Sequence, residues 1–191
     1  EKLRSLDTDA TWKKSAYQGW VYGYGIHLTT TQAGFPVLME VETASFSEKE
    51  AIERKEACIL NQLKPDTLCG DDAYTKAIRI RNWAKHGVIL VTPALRWHQG
   101  RYANAYRQFI KTQADMVRIL KKRNTAIEPI FDLIAKLLGT TAKQKQIFRQ
   151  GLENVRTHLG LGILSLQIAM IANQIWNMPF RTVSHMKGVF A

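Results

Sequence analysis

The chain has 191 residues, 46% of them hydrophobic and 23% charged, which excludes a disordered tail and suits one domain of ordinary size. Its two cysteines, Cys58 and Cys69, are too few and too poorly spaced for a disulfide framework or a zinc site, which predicts a reduced, intracellular setting. Lysine and arginine number 27 against 16 aspartate and glutamate, a net charge of +11. This excess predicts a polyanionic partner.

The positive charge is unevenly distributed along the sequence. Residues 1–72 carry 8 basic and 12 acidic side chains, whereas residues 73–191 carry 19 basic and 4 acidic ones. A surface that binds phosphate backbones would produce this division. A basic surface that is merely solvated is the alternative.

Two strands and a helix are predicted for residues 20–63. Residues 20–30 and 35–43 are rich in aromatic and β-branched side chains and flank a Thr-Gln-Ala-Gly turn, which predicts a β-hairpin. Ser47 and Glu50 form a capping-box pattern, which predicts a helix from there to about residue 63, where Lys-Pro-Asp ends it.

A strand, a helix and a further strand are predicted next, at residues 67–70, 73–86 and 88–92. A basic, aromatic loop follows at residues 94–100. The rest of the chain is predicted to be helical, at residues 103–122, 126–138, 142–150 and 152–177. This order predicts an α/β fold with a mixed sheet and a helical carboxyl-terminal half.

The uncharged run at residues 159–180 is the only stretch that resembles a membrane span. Ser165, Gln167, Asn173 and Gln174 interrupt it, which favours a buried helix, and no membrane partner is predicted.

Asp71 is the first candidate for chemistry. It lies where an apolar strand gives way to a helix, the position at which ligands and metals gather in open α/β sheets. The alternative is that Asp71 or Asp72 caps the following helix. The local sequence leaves both interpretations open.

Glu128 is the second candidate. On a helical projection it shares a polar arc with Lys121, Thr125 and Asp132, opposite an apolar stripe. It could instead be an ion-pair partner, or the capping-box glutamate of a helix that starts near Thr125 and has Pro129 at its fourth position. The pattern alone does not decide between these roles.

Several short motifs occur in an order that resembles the catalytic domain of bacterial insertion-sequence transposases of the DDE type. They are Trp-Lys-Lys at 12–14, Gly-Trp-Val-Tyr-Gly-Tyr-Gly-Ile-His-Leu at 19–28, Thr-Ala-x-x-Ser-Glu at 43–48, Gly-Asp-Asp-Ala-Tyr at 70–74 and Arg-Asn-Thr-Ala-Ile-Glu-Pro-Ile-Phe at 123–131. The resemblance covers most of residues 7–177. It implies an RNase H-like mixed sheet flanked by helices.

The resemblance also implies roles for both acidic candidates. Asp71, three residues before Tyr74, matches the second catalytic carboxylate of the family, and Glu128 matches the third. The first catalytic aspartate of the family lies upstream of these motifs, and Asp7 and Asp9 match a later segment. We therefore expect the first aspartate and its central strand to be absent. The chain is then a single partial catalytic domain over 1–191, with a polar lead-in at 1–15 and a tail at 178–191.

The chemistry implied by the resemblance is the cutting and joining of DNA at insertion-sequence ends. In-line displacement at phosphorus places charge on both the attacking and the leaving oxygen, and two divalent ions stabilise both. Carboxylates suit Mg²⁺, for which Mn²⁺ can substitute. The expected partners are double-stranded DNA, as transposon ends and target, and a second copy of the chain in a homodimer on that DNA. The expected location is the nucleoid in the bacterial cytoplasm.

Two groups of residues are predicted to contact DNA. They are Lys121, Lys122, Arg123 and Lys136 around Glu128, and Arg96, Trp97 and Arg101 in or next to the basic loop. The first group is equally compatible with a solvated face. Trp97 either stacks on an unpaired base or, as most tryptophans do, packs against the protein. A related subgroup has Tyr, Arg and Lys at set distances from the glutamate; Lys121 and Asn124 replace the first two here, and Lys136 is one residue late.

Two other functions remain open from the sequence. An RNase H-like nuclease would share the acids and the metals but would not join strands. A catalytically dead transposase remnant, or another non-catalytic nucleic-acid-binding protein, would retain only the basic surface.

Overall fold

In the computed structural model, the described residues are 6–15, 19–93, 100–139 and 147–184. Over these residues the chain combines strands with α-helices, and the predicted α/β composition is confirmed. The strands are β1 (Thr11–Ser15), β2 (Gly19–Thr30), β3 (Pro36–Thr43), β4 (Thr67–Cys69) and β5 (Ile89–Val91). The helices are α1 (Glu48–Cys58), α2 (Ala77–Lys85), α3 (Arg101–Thr112), α4 (Ala114–Leu137) and α5 (Leu152–Ile175).

The chain divides into two compact units. The first contains residues 1–46 and 126–191, and the second contains residues 47–125. Helix α4 crosses the boundary, so that its amino-terminal half belongs to the second unit and its carboxyl-terminal half to the first.

An antiparallel sheet and helix α5 form the first unit. The strand order is β1-β2-β3, with the amino-terminal half of β2 paired to β1 and its carboxyl-terminal half paired to β3. Arg156 on α5 is hydrogen-bonded to the Val41 carbonyl of β3 at 2.9 Å and ion-paired with Glu42 at 2.5 Å. The core contains Leu28, Val41, Ile130, Ile134, Val155, Leu159, Ile163, Leu166, Ala169, Met170 and Val183.

A parallel strand pair surrounded by helices forms the second unit. Strand β4 pairs with β5 in the register Thr67↔Ile89 to Cys69↔Val91. The predicted capping box of α1 is confirmed, because Ser47 accepts from the Glu50 backbone N–H while the Glu50 carboxylate accepts from the Ser47 N–H. A π-helical turn at Ile59–Leu63 then ends this helix where the sequence predicts.

The four predicted strands were expected to form one mixed sheet, but the described strands form two sheets. Strand β1 was not predicted at all. Its sequence, Thr-Trp-Lys-Lys-Ser, does not alternate between apolar and polar residues. Strand β1 lies at the edge of the sheet, and its three central side chains are exposed. Which strands pair depends on contacts between residues that are far apart in the sequence, and local sequence patterns carry no information about such contacts.

The helix boundaries after residue 100 differ from the predicted ones. The predicted helix 103–122 is interrupted at Gln113, whose backbone is extended, and no glycine or proline marks that break. The predicted start of a helix near Thr125 is wrong, because α4 runs continuously through Thr125 and Pro129. Of the predicted helix 142–150, residues 147–150 are not helical, and residues 142–146 lie outside the described part of the chain.

Helix α5 is the one helix, among those described, with the length and composition of a membrane span; 39% of its most apolar window is buried inside the protein. Its outer face carries five exposed apolar residues with alternating spacings of three and four. These residues, which we call the α5 stripe, are Leu161, Leu164, Ile168, Ile171 and Ile175.

Candidate active site

Asp71 lies directly after the carboxyl end of β4. The preceding residue continues the strand pairing, because the Gly70 N–H donates to the Val91 carbonyl at 2.9 Å. A Cβ at Gly70 would lie 2.9 Å from the Tyr74 ring, so a larger residue would displace that ring. Glycine thus allows Tyr74 to pack against the strand end and the chain to turn sharply at Asp71.

The carboxylate of Asp71 has two partners in the second unit. Its Oδ1 accepts from the Asp72 backbone N–H at 2.6 Å, which caps the 3₁₀ turn at Asp72–Tyr74. The same oxygen is ion-paired with Arg123 Nη1 at 3.0 Å. The capping interpretation is therefore correct for this short turn, whereas α2 begins at Ala77, three residues after the turn ends, and its N-cap Lys76 makes no side-chain cap.

Two partly buried side chains, those of Cys69 and Tyr74, lie close to Asp71 in the chain. Burial raises the pKa of the Cys69 thiol to about 11, although the nearby Arg123 guanidinium lowers it somewhat. Burial likewise raises the pKa of the Tyr74 hydroxyl to about 12, with Glu48 and Asp71 adding to the effect. Both groups are uncharged at neutral pH, so the charged side chains at this strand end are those of Asp71, Asp72 and Arg123.

Glu128 lies in the middle of α4, on its exposed side. The Thr125 hydroxyl donates back to the Lys122 carbonyl at 2.9 Å within the continuous helix, so no capping box forms here. Among the described residues the Glu128 carboxylate makes no hydrogen bond or ion pair. Neither structural alternative for Glu128 is therefore observed within the described part of the chain.

A comparison with known protein families assigns the chain to one of them. The family described as Transposase DDE domain matches residues 2–184. The chain belongs to this family. No curated protein and no solved structure matches it. The enzymes of the transposase DDE family act on nucleic acid and typically use divalent metals.

Exposed basic side chains flank Glu128 along the chain of this transposase domain. Lys121, Lys122 and Lys136 are exposed on α4, and Arg101 is exposed at the start of α3. Arg96 and Trp97 lie outside the described residues. Asp71 belongs to the second unit and Glu128 to the first. Each is described within its own unit, and their juxtaposition stays a prediction.

The acids that precede β2 have structural roles. The Asp7 carboxylate accepts from the Tyr24 hydroxyl at 2.6 Å and from the Gly151 N–H at 3.0 Å, and Asp9 accepts from the Leu152 N–H at 3.0 Å. Both acids therefore bind the amino terminus of α5, where backbone N–H groups and the helix dipole favour negative charge. This agrees with excluding them as the first catalytic aspartate.

The possible metal ligands at this site are carboxylates. No cluster of three or more histidine, cysteine or acidic residues occurs in the described ranges. Asp71 and Glu128 each offer exposed carboxylate oxygens, the ligand type that Mg²⁺ prefers. The donor chemistry of the two acids therefore fits a divalent cation.

The ion pair between Arg123 and Asp71 was missed by sequence analysis, which assigned Arg123 to DNA. The two residues are far apart in the sequence and no spacing rule connects them.

Proposed function

We propose that this protein is a DNA transposase that cuts and joins DNA at insertion-sequence ends by metal-dependent phosphodiester transfer. Asp71 and Glu128 are its proposed catalytic carboxylates and metal ligands. The observation that carries the proposal is Asp71 itself: an exposed carboxylate just after the half-buried strand β4, within the family match, at the position that the resemblance assigns to the second catalytic carboxylate. The proposed place of action is the nucleoid of a bacterial cell.

An RNase H-like fold is part of this proposal. It is supported by an antiparallel sheet of three strands followed in the chain by a parallel strand pair, since a mixed sheet of that type combines both directions. A single catalytic domain is likewise proposed rather than two independent ones, because α4 contributes to both compact units.

Helix α4 supports the pairing of the two acids. Its Arg123 binds Asp71, and Glu128 follows five residues later on the same helix, ~7.5 Å further along the axis. A continuous helix fixes this spacing along the chain, which the predicted break near Thr125 would have left variable.

The two carboxylates would hold two Mg²⁺ ions, for which Mn²⁺ can substitute. When bound, such ions stabilise charge on the attacking and leaving oxygens of an in-line displacement at phosphorus. Arg123 keeps the Asp71 carboxylate oriented at the strand end and balances its charge. Lys121, Lys122 and Lys136 would bind the phosphates of double-stranded DNA, the transposon ends and the target, and Arg101 would add a further contact.

The deciding experiment measures strand transfer and DNA binding with the complete protein. Asp71→Asn and Glu128→Gln each keep side-chain size and remove the negative charge. Both are expected to abolish cutting and joining while leaving DNA affinity nearly unchanged. Retained strand transfer in either variant would refute the role of that acid. Cleavage without joining by the unmodified protein would instead identify an RNase H-like nuclease.

A non-catalytic DNA-binding protein is the second candidate. It is favoured by one observation, the lack of a three-ligand metal cluster in the described ranges. This candidate predicts that the complete protein binds DNA with the same affinity with and without Mg²⁺, and that it neither cuts nor joins.

We also propose that the transposase acts as a homodimer. The α5 stripe supports this, because its alternating spacing of three and four is that of the a and d positions of a coiled-coil seam. Ser165 and Ala172, beside the stripe, are small and uncharged, so two copies of the helix can approach without repulsion.

A further inference from the structure

The β1–β2 hairpin exposes two tryptophans on one face. Trp12 lies opposite Tyr22 and Lys14 lies opposite Trp20 in the antiparallel register. Since opposite residues, and residues two apart on one strand, point to the same face, these four side chains form one surface. We call Trp12, Lys14, Trp20 and Tyr22 the aromatic ribbon.

The exposure of the ribbon is unusual. Trp12 and Trp20 are 59% and 66% exposed, although indole rings are among the largest apolar groups and are usually well buried. Their surface is available to a ligand and contributes no buried core. Adjacent exposed aromatic residues of this kind commonly mark a binding surface.

The ribbon is held in a fixed arrangement. The Trp12 and Tyr22 rings lie 5.0 Å apart at 46°, and the Tyr22 hydroxyl is hydrogen-bonded to the Asp7 carbonyl. Asp7 is in turn bound to the amino terminus of α5 through Gly151. Little side-chain freedom of Trp12 and Tyr22 would therefore be lost when a ligand binds these rings.

A shallow, open depression lies between Trp12 and Trp20. They are diagonal neighbours across the strand pair, and such neighbours are ~7–8 Å apart. Since aromatic carbons in contact are ~3.5–4.0 Å apart, this spacing has room for one flat ring between the two indoles.

The charge at the ribbon favours an anionic ligand. Lys13 and Lys14 are exposed on β1, and neither β1 nor β2 contains an acidic residue. The nearest acids in sequence, Asp7 and Asp9, direct their carboxylates to the backbone N–H groups of Gly151 and Leu152. Flat apolar rings with Lys14 on the same face, and Lys13 on the opposite face of the strand, match the stacked bases and the phosphates of single-stranded nucleic acid.

We propose that the aromatic ribbon binds unpaired bases of single-stranded DNA, by stacking on Trp12 and Trp20 with Lys14 against the phosphate backbone. This inference rests on the proposed DNA substrate and adds a binding site for strands that become unpaired at a DNA end. It is separate from Trp97, which lies outside the described residues.

The test measures binding of single-stranded oligo(dT) and of a duplex of equal length to the full chain, by fluorescence anisotropy of the labelled DNA. Trp12→Ala and Trp20→Ala are each expected to weaken oligo(dT) binding ~5- to 100-fold, the effect of losing one stacked base. Duplex binding should change less than twofold. Trp12→Phe and Trp20→Phe keep an aromatic ring and should retain most of the oligo(dT) affinity. This result would show that the alanine variants lose affinity because a stacking ring is missing.

Two further variants sharpen the test. Trp176→Ala removes an indole of similar exposure, 62%, outside the ribbon and should leave oligo(dT) binding unchanged. Lys14→Gln should reduce the slope of log affinity against log salt concentration by ~0.7, the value for one phosphate contact on a single strand.

Several outcomes would overturn the inference. Unchanged oligo(dT) affinity in the Trp12→Ala, Trp20→Ala double variant would do so while leaving the proposed transposase function intact. A change of sedimentation coefficient in that variant, with unchanged oligo(dT) affinity, would identify the ribbon as a contact between protein copies. If the unmodified chain binds neither DNA, the proposed function fails together with this inference.

Discussion

Arg123 Nη1 lies 3.0 Å from Oδ1 of Asp71, so the proposed metal ligand already holds a positive charge at the end of β4. The pair is partly solvated, with 51% of the Asp71 side chain exposed. A divalent cation held by Asp71, as proposed, would therefore compete with the guanidinium for the same oxygen, and Arg123 would moderate how strongly Asp71 binds metal.

This competition predicts the effect of Arg123→Gln on metal binding. Because solvated ion pairs contribute at most ~1 kcal/mol, Mn²⁺ affinity should rise by no more than ~5-fold. Paramagnetic resonance of free Mn²⁺ measures the affinity. Arg118→Gln is the matched control, since Arg118 lies on the same helix and pairs with Asp115 instead. A lower Mn²⁺ affinity in Arg123→Gln would contradict competition.

The proposed sharing of metal by Asp71 and Glu128 predicts where Fe²⁺ cleaves the protein. With Fe²⁺ in place of Mg²⁺ and a peroxide, hydroxyl radicals should cut the backbone near both acids, because the radicals react close to the bound ion. Mass spectrometry of the fragments locates the cuts. Asp71→Asn should abolish the cuts at both places. Cuts that persist near Glu128 in this variant would show that the acids do not share a site.

The catalytic role of each acid predicts a difference from its nearest acidic neighbour. Asp72→Asn and Asp132→Asn change exposed carboxylates next to Asp71 and one turn beyond Glu128, without removing a proposed ligand. Strand transfer should fall at least ~100-fold in Asp71→Asn and Glu128→Gln but stay within ~3-fold in these controls, since only the former lose the charge that binds metal. Equal losses in a control and its partner would point to a general electrostatic effect.

The α5 stripe predicts that the chain self-associates. Ile168→Glu places a charge in the middle of the stripe, where a second helix would have to bury it, and should yield monomers. Gln174→Glu adds a charge at an exposed position of α5 that projects about 100° away from Ile175, outside the stripe, and should leave association unchanged. Analytical ultracentrifugation distinguishes the two states. A monomeric unmodified chain would contradict the proposal.

The hydrogen bonds of Asp7 predict a dependence of stability on pH. Although burial acts to raise the pKa of Asp7, hydrogen bonds from Tyr24, Gly151, Asp9 and Ala10 hold it below its ordinary value of 3.8. The charged form therefore stabilises the folded state above pH ~4, and this contribution is lost as the pH falls through the lowered pKa. Asp7→Asn should cost about 1–2 kcal/mol at pH 7 and progressively less below pH 4.

Urea unfolding followed by circular dichroism at pH 7, 4.5 and 3 measures this effect. Asp66→Asn is the control, because the Asp66 carboxylate makes no hydrogen bond to a described residue. A destabilisation by Asp7→Asn that is the same at all three pH values would show that lost packing, and not lost charge, is responsible.

Local patterns were sufficient for several features of this protein. The capping box of Ser47 and Glu50, the hairpin of β2 and β3, and the strand end at Asp71 were all predicted correctly. Each depends on residues that are neighbours in the sequence or joined by a short turn. The same local logic failed at Thr125, where a capping-box pattern lies inside a continuous helix.

The sequence by itself determined the family, the positions of the two candidate acids and the strongly basic carboxyl-terminal part, because motif order and composition are properties of the chain alone. Only the tertiary structure decided that Arg123 pairs with Asp71, that Asp7 and Asp9 bind the start of α5, and that Trp12 and Trp20 stand exposed on one face. These relationships join residues distant in sequence or depend on strand register. They are set by which surfaces the folded chain buries, and no local spacing encodes that choice.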